Sequence, residues 1–176
     1  RRLAGVTPVP VYVGAVSQRG SHSITSIDAD YYPLEVSGAA NLAKQLKKTG
    51  HAYIDKEQLL VWNPPIILVD AAGAELVRRD LVRNRDFFSR LAAVRTNQVY
   101  QVLPYNHYHT NLEIALANSW YVAKLLHPKR LSDIDPIKKT DELCRSFVGI
   151  TCYEQLRREF GGFGPLPLHT STAHVR

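Results

Sequence analysis

The sequence predicts an α/β fold, a three-layer sandwich with a mainly parallel central sheet between helices, and three observations predict it. Ile66-Ile67-Leu68-Val69-Asp70 is a continuous apolar run closed by an acid, the signature of a strand buried on both faces of a parallel sheet. Strand-like and helix-like segments alternate along the chain, as crossover connections require. The polar and aromatic stretch 104–111 stands between a predicted strand over 98–103 and a predicted helix over 112–126. In α/β folds ligands bind there, outside the carboxyl ends of the strands.

The first predicted strand is Val9-Pro10-Val11-Tyr12-Val13, stopped by Gly14. Residues 15–33 carry glycines, hydroxyls and little apolar periodicity, so they read as one long loop, kept ordered by Ile24, Ile27, Tyr31 and Tyr32. Residues 39–48 read as an amphipathic helix from the i, i+4 spacing of Leu42 and Leu46, with Gly50 as its stop. Asp55 is placed to cap a short helix that ends at Asn63-Pro64-Pro65. Helices follow over 74–82 and 86–93. Beyond 126, His127-Pro128 breaks the long helix, Asp135-Pro136 opens another that runs to Gly149, and a last one covers 153–160. The expected domain is 1–162, with 163–176 an extended or disordered tail.

Composition bounds the function. The 176 residues are 45% hydrophobic and 22% charged, an ordinary globular balance, and no apolar run approaches the ~18 residues of a membrane span. The charge of +6 is scattered in pairs such as Lys47-Lys48 and Arg157-Arg158. No stacking platform accompanies them, so nucleic acid is not an expected partner. The chain begins Arg1-Arg2-Leu3-Ala4 and lacks methionine, as expected of a processed product or a piece of something longer, and its start is silent on destination. Cys144 and Cys152, eight residues apart, fit either a disulfide or two buried thiols.

Two loops hold the chemistry-bearing residues. His107-Tyr108-His109 places imidazoles two apart, which on an extended backbone point the same way and suit a metal or a bound solute; without an acidic or cysteine partner nearby, no metal site is assigned. Ser17, Arg19, Ser21, His22, Ser23 and Ser26 surround an arginine with hydroxyls, which suits an anionic group or a solvated loop tip equally. A nucleophile elbow, a Cys/His pair with a third member, HExxH and a P-loop are all missing from the sequence. The chain reads as a binder and not an enzyme.

The order Val11-Tyr12-Val13-Gly14, then 17–26, then Gly50-His51-Ala52-Tyr53-Ile54-Asp55-Lys56-Glu57-Gln58-Leu59-Leu60 and Asn63-Pro64-Pro65-Ile66-Ile67-Leu68-Val69-Asp70 resembles the substrate-binding proteins of ABC importers for iron-siderophore, haem and cobalamin-type complexes. Phe87-Phe88, Gln98-Val99-Tyr100, Tyr105-Asn106 and Asn111-Leu112-Glu113 continue the likeness, which covers about residues 9–160. The resemblance implies two α/β lobes joined by a rigid helix, with the ligand between them. This chain would be the carboxyl-terminal lobe, its amino-terminal lobe missing and residues 1–5 the end of the connecting helix. It further implies a cleft rim of Tyr105, Asn106, His107 and Tyr108 facing Ser17, Arg19 and His22, and Glu57 as a surface carboxylate for an ABC permease. The implied ligand is an iron-siderophore or related metal complex with no resident cofactor, and the implied location is periplasmic or membrane-anchored outside the cytoplasm. A lobe of nitrogenase-like metallocluster architecture, which needs cluster-binding cysteines, and a protein-only interaction domain are the competing expectations.

Overall fold

The computed structural model describes residues 2–106 and 109–168. In chain order the elements are β1 (Val9–Gly14), β2 (Ser26–Asp28), α1 (Tyr32–Val36), β3 (Ala39–Asn41), a 3-10 turn (Leu42–Leu46), β4 (His51–Tyr53), α2 (Lys56–Trp62), β5 (Ile67–Asp70), α3 (Ala74–Arg83), α4 (Arg85–Arg90), α5 (Ala92–Arg95), β6 (Val99–Val102), α6 (Leu112–Leu126), α7 (Pro136–Val148), α8 (Tyr153–Phe160) and β7 (Gly164–Pro165). Among the described residues the main sheet has the order β3-β1-β5-β6-β7, while β2 and β4 form a separate antiparallel pair. The first four strands run parallel, with Tyr12 opposite Ile67 and Ile67 opposite Val99; β7 returns antiparallel to β6.

Side chains of the central strands alternate between two cores, as a two-residue period requires. Tyr12, Ile67, Val69 and Val99 face a core closed by Leu59 of α2, Val77 of α3, Phe88 of α4 and Ile24 and Ile27 of the hairpin region. Val11, Val13, Leu68 and Val102 face the opposite core with Leu34 of α1, Ile114 and Val122 of α6, Cys144 of α7 and Tyr153 of α8. Helices therefore cover both faces, and the expected three-layer α/β sandwich is the observed one.

Several local expectations fail for identifiable reasons. Residues 39–48 are not an α-helix. Their first three residues pair with β1, and the Asn41 side chain is taken by the backbone, donating to the Asp28 and Ala29 carbonyls (3.0 and 3.1 Å) and accepting from the Ala43 N–H. What remains is one tight turn, ended by Lys47 in the left-handed region (φ 53°). The long first loop contains β2, whose partner β4 the sequence reading missed altogether. The tail expected from 163 instead begins inside the fold: Gly164 and Pro165 pair with β6, and Leu166 and Leu168 are buried in the α2/α3 core. Residues 169–176 lie outside the described residues.

Of the two readings of the cysteines, the structure takes the disulfide: Cys144 near the end of α7 is bonded to Cys152 before α8. Closing an eight-residue separation should stabilise the fold by about 2.5 kcal/mol through lost chain entropy in the unfolded state. The double substitution Cys144→Ser with Cys152→Ser is expected to lower the urea midpoint by that free energy with little change in slope.

Candidate functional site

The carboxyl ends of β1, β5 and β6 lie side by side, and one buried carboxylate ties two of them. Asp70, the last residue of β5, is 1% exposed. Its Oδ2 accepts from the Ser17 N–H (3.0 Å) and hydroxyl (2.8 Å), and its Oδ1 accepts from the Ala72 N–H (3.0 Å). The loop leaving β1 is thereby drawn across the end of β5. It passes so close that a Cβ on Gly73 would sit 2.1 Å from the His22 carbonyl. Only glycine permits that approach.

Beyond this point the first loop reaches a tip. Arg19 is exposed in the left-handed region (φ 54°), followed by Gly20. The chain then turns back so that a ring nitrogen of His22 meets the Gln18 carbonyl at 3.1 Å and another meets the Tyr53 hydroxyl at 3.1 Å. His22 lies against two further rings, His51 at 5.7 Å and Tyr53 at 5.5 Å between centroids, while His51 and Tyr53 meet edge to face at 4.9 Å. His51 and Tyr53 share one side of β4 because they are two residues apart. The Ser26 hydroxyl donates to the Val16 carbonyl (2.7 Å), so at its 2.8 Å contact with His51 the Nε2–H is the donor, leaving Nδ1 as the lone-pair nitrogen.

On the other side of the shelf, α6 holds the end of β6. Asn118, fully buried, accepts from the Leu103 N–H (3.0 Å) and donates to the Leu103 carbonyl (2.8 Å), replacing the strand partner that the backbone lacks. It also approaches the Tyr31 hydroxyl at 3.5 Å. Tyr31 in turn meets Tyr105 edge to face at 5.3 Å. Burial pushes both phenols well above the usual tyrosine range, with the negative charges of Asp28 and Asp70 adding to the effect. Asp28 stands opposite His51 in the β2/β4 pair, and its charge acts on both His51 and Tyr31. Its own pKa is raised by burial.

The residues expected at a cleft rim thus occupy different depths. Arg19 is exposed and His22 half-buried at the surface of the first loop. Ser17, expected as a contact residue, is fully buried with its hydroxyl spent on Asp70, so it holds the loop in place. Tyr105 is only 5% exposed and packs inward, while Asn106 accepts from the Thr110 hydroxyl at 2.7 Å. His107 and Tyr108 lie outside the described residues. Among the described residues, neither Arg19 nor His22 makes a hydrogen bond or ring contact with Tyr105 or Asn106. A groove of about 400 Å³ lies beside the second loop, lined by Pro104, His109, Asn111, Glu113, Cys152 and Phe160. Glu57 is exposed in the first turn of α2, capped by Asp55, whose carboxylate accepts from the Gln58 N–H at 2.6 Å. Among the described residues no three His, Cys, Asp or Glu side chains converge to hold a metal ion.

Sequence reasoning overlooked Asp70, Asn118, Tyr31, His51 and Tyr53. Four of them left a signal: an acid ending a buried run for Asp70, an amide inside an apolar helix for Asn118, and an H-x-Y alternation for His51 and Tyr53.

Solved structures share this parallel α/β sandwich fold. The chain is similar to the molybdate periplasmic binding protein MolA of a Haemophilus influenzae ABC transporter, bound to molybdate (TM-score 0.64, 24% identity, 85% of this chain and 46% of that one). It is also similar to the TroA-like periplasmic binding protein FepB of Veillonella parvula (0.61, 19%, 85% and 48%) and to Helicobacter pylori CeuE with Ni(II) bound (0.63, 20%, 90% and 50%). The chain spans about half the length of each. No family model matches the sequence, and no curated protein is significantly similar to it.

Two outcomes test this geometry. Asn118→Leu, close in size, strands the Leu103 N–H and carbonyl and is expected to cost about 2 to 3 kcal/mol, read by denaturant unfolding. Burial, with help from the His22 charge, holds the His51 pKa below the usual histidine range. The unfolded chain therefore binds the proton more readily. His51's contribution to stability is full above the unfolded pKa of about 6.5 and is lost as pH falls from there towards the folded value. Melting curves from pH 7.5 downward should show a loss that His51→Gln reduces.

Proposed function

We propose that this chain is the ligand-binding lobe of an extracytoplasmic solute-binding protein, which captures a metal-containing solute and delivers it to an ABC permease. The observation that carries the proposal is the recurrence of this fold, over about half of each chain, in periplasmic and ABC-transporter solute-binding proteins, with polar loops gathered at the strand ends. The role is binding, without chemistry on the solute. An amino-terminal lobe would supply the facing half of the cleft.

The ligand that suits the rim best is an iron-siderophore or similar chelate. Aromatic faces and a few polar groups on a preformed surface hold a large complex, and Arg19 would offset its negative charge. Arg19 and His22, with His51 and Tyr53 beside them, would form one side of the rim. The loop carrying Tyr105, Asn106, His107 and Tyr108 would form the other, and Glu57 would face the permease. MolA with molybdate and CeuE with Ni(II) favour a second reading, a bare oxyanion or metal ion at the same loops.

The disulfide supports an extracytoplasmic location, since such bonds persist in oxidising compartments. It also counts against a metallocluster role, because Cys144 and Cys152 are bonded to each other and cluster ligation needs thiolates. Among the described residues no helix is long and apolar enough to cross a membrane.

Calorimetric titration of the full-length protein, with both lobes, against a ferric siderophore, haem, cobalamin, molybdate and Ni(II) tests the proposal. One of them is expected to bind saturably, and His22→Ala to weaken it by about tenfold, the equivalent of one charge-assisted hydrogen bond. No binding of any of the five would overturn it.

A further inference from the structure

On the α2/α3 side of the molecule, where the first loop runs on past His22, we propose a second site that binds a phosphate-type oxyanion. It is a groove of about 440 Å³ lined by Ser23, Thr25, Lys56, Arg79, Asp80 and Arg83. None of these residues belongs to the rim described above.

Donors outnumber acceptors in this groove. Lysine and arginine side chains only donate, and serine and threonine hydroxyls donate readily. Asp80 is the carboxylate among the lining residues, and its Oδ1 already accepts from Lys56 Nζ and Asn84 Nδ2, both at 2.6 Å. The exposed Arg79 donates through Nε to Glu75 at 3.1 Å, a contact that does not use its other N–H groups. Arg83, in the last turn of α3, adds a second fork. The Ser23 hydroxyl is buried and has no hydrogen-bond partner among the described residues. Buried polar atoms are almost always satisfied, and the polar side chains that line this groove are mostly donors. The missing complement is a compact group with several acceptor oxygens and negative charge. A phosphate or phosphodiester fits, because guanidinium forks recognise its oxygens in pairs while a hydroxyl takes another.

Two sources share this chemistry: a free phosphate or phosphomonoester, and the phosphodiester of an anionic lipid headgroup. The test uses isotopically labelled protein at fixed ionic strength. Inorganic phosphate is titrated in one arm and phosphatidylcholine vesicles containing phosphatidylglycerol in the other, reading the Ser23, Thr25 and Lys56 amide resonances and vesicle co-sedimentation. A saturable response confined to these amides is expected in at least one arm. Saturation by phosphate assigns a free oxyanion, and saturation by vesicles alone assigns the headgroup; both support the site. Arg83→Gln, which keeps most of the stem, should weaken binding by about tenfold, and Ser23→Ala should weaken it measurably. Lys48→Ala, which removes a positive charge from an exposed residue elsewhere, should leave it unchanged. No saturable response in either arm, or an equal loss in Lys48→Ala, would overturn the proposal. Arg83→Gln lies on α3, apart from the rim residues, so its effect here and a failure of solute binding are separate results.

Discussion

The arrangement at the strand ends depends on the buried carboxylate of Asp70. Removing a charge from water costs several kcal/mol unless hydrogen bonds replace the lost hydration. Two backbone N–H groups and the Ser17 hydroxyl do so here. These contacts can form only if the chain leaving β1 bends over the end of β5, which brings Ala15 and His22 against Gly73. The position of His22, and through it the packing on His51 and Tyr53, follows from satisfying one charge. The same charge reaches Tyr31 and Tyr105, so the second loop feels it as well.

Asn118 performs the corresponding task on the other side. A strand that ends beneath a helix leaves an N–H and a carbonyl that burial would make costly, and one primary amide can serve both. The Leu103 backbone is therefore fixed by α6 rather than by another strand. Tyr31 and Tyr105 pack against this fixed point, and their depth gives the second loop a rigid floor. A preformed surface of this kind loses little conformational freedom when a ligand arrives.

How much of this could be read from the residues depended on segment length. The run ending at Asp70 and the stretch around Val99–Val102 were legible because burial on both faces leaves continuous apolar sequence. The long helix Leu112–Leu126 was legible because it is long enough for its apolar content to be unambiguous. Strands β2, β3 and β4 have three residues each, too short to establish a period. Ala39–Asn41 is a strand because β1 offers an edge to pair with, a tertiary cause that local propensity does not register. Leu42 and Leu46 kept their helical spacing and still formed a 3-10 turn, since Asn41 claimed the local backbone groups. Of the site, the loops were legible as polar clusters at strand ends. Depth was not: Ser17 and Tyr105 have surface-compatible side chains, and only the partners Asp70 and Tyr31 draw them inward.

The charges of this chain are divided rather than spread. Asp28 and Asp70, both nearly buried, give the shelf a negative floor under a rim that carries Arg19 and two imidazoles. The flank between α2 and α3 has the opposite construction, with cationic side chains outnumbering the carboxylates. A net charge of +6 would be expected to draw anions over the whole surface if it acted as a single field. At physiological ionic strength, however, fields fade within about 8 Å. What a surface recognises is then set by the few groups within that distance and by whether they lack donors or acceptors. By that criterion the two surfaces select differently. The shelf, with acids below and lone-pair nitrogens and phenols above, suits a ligand that brings its own metal, whereas the flank suits one that brings only oxygens.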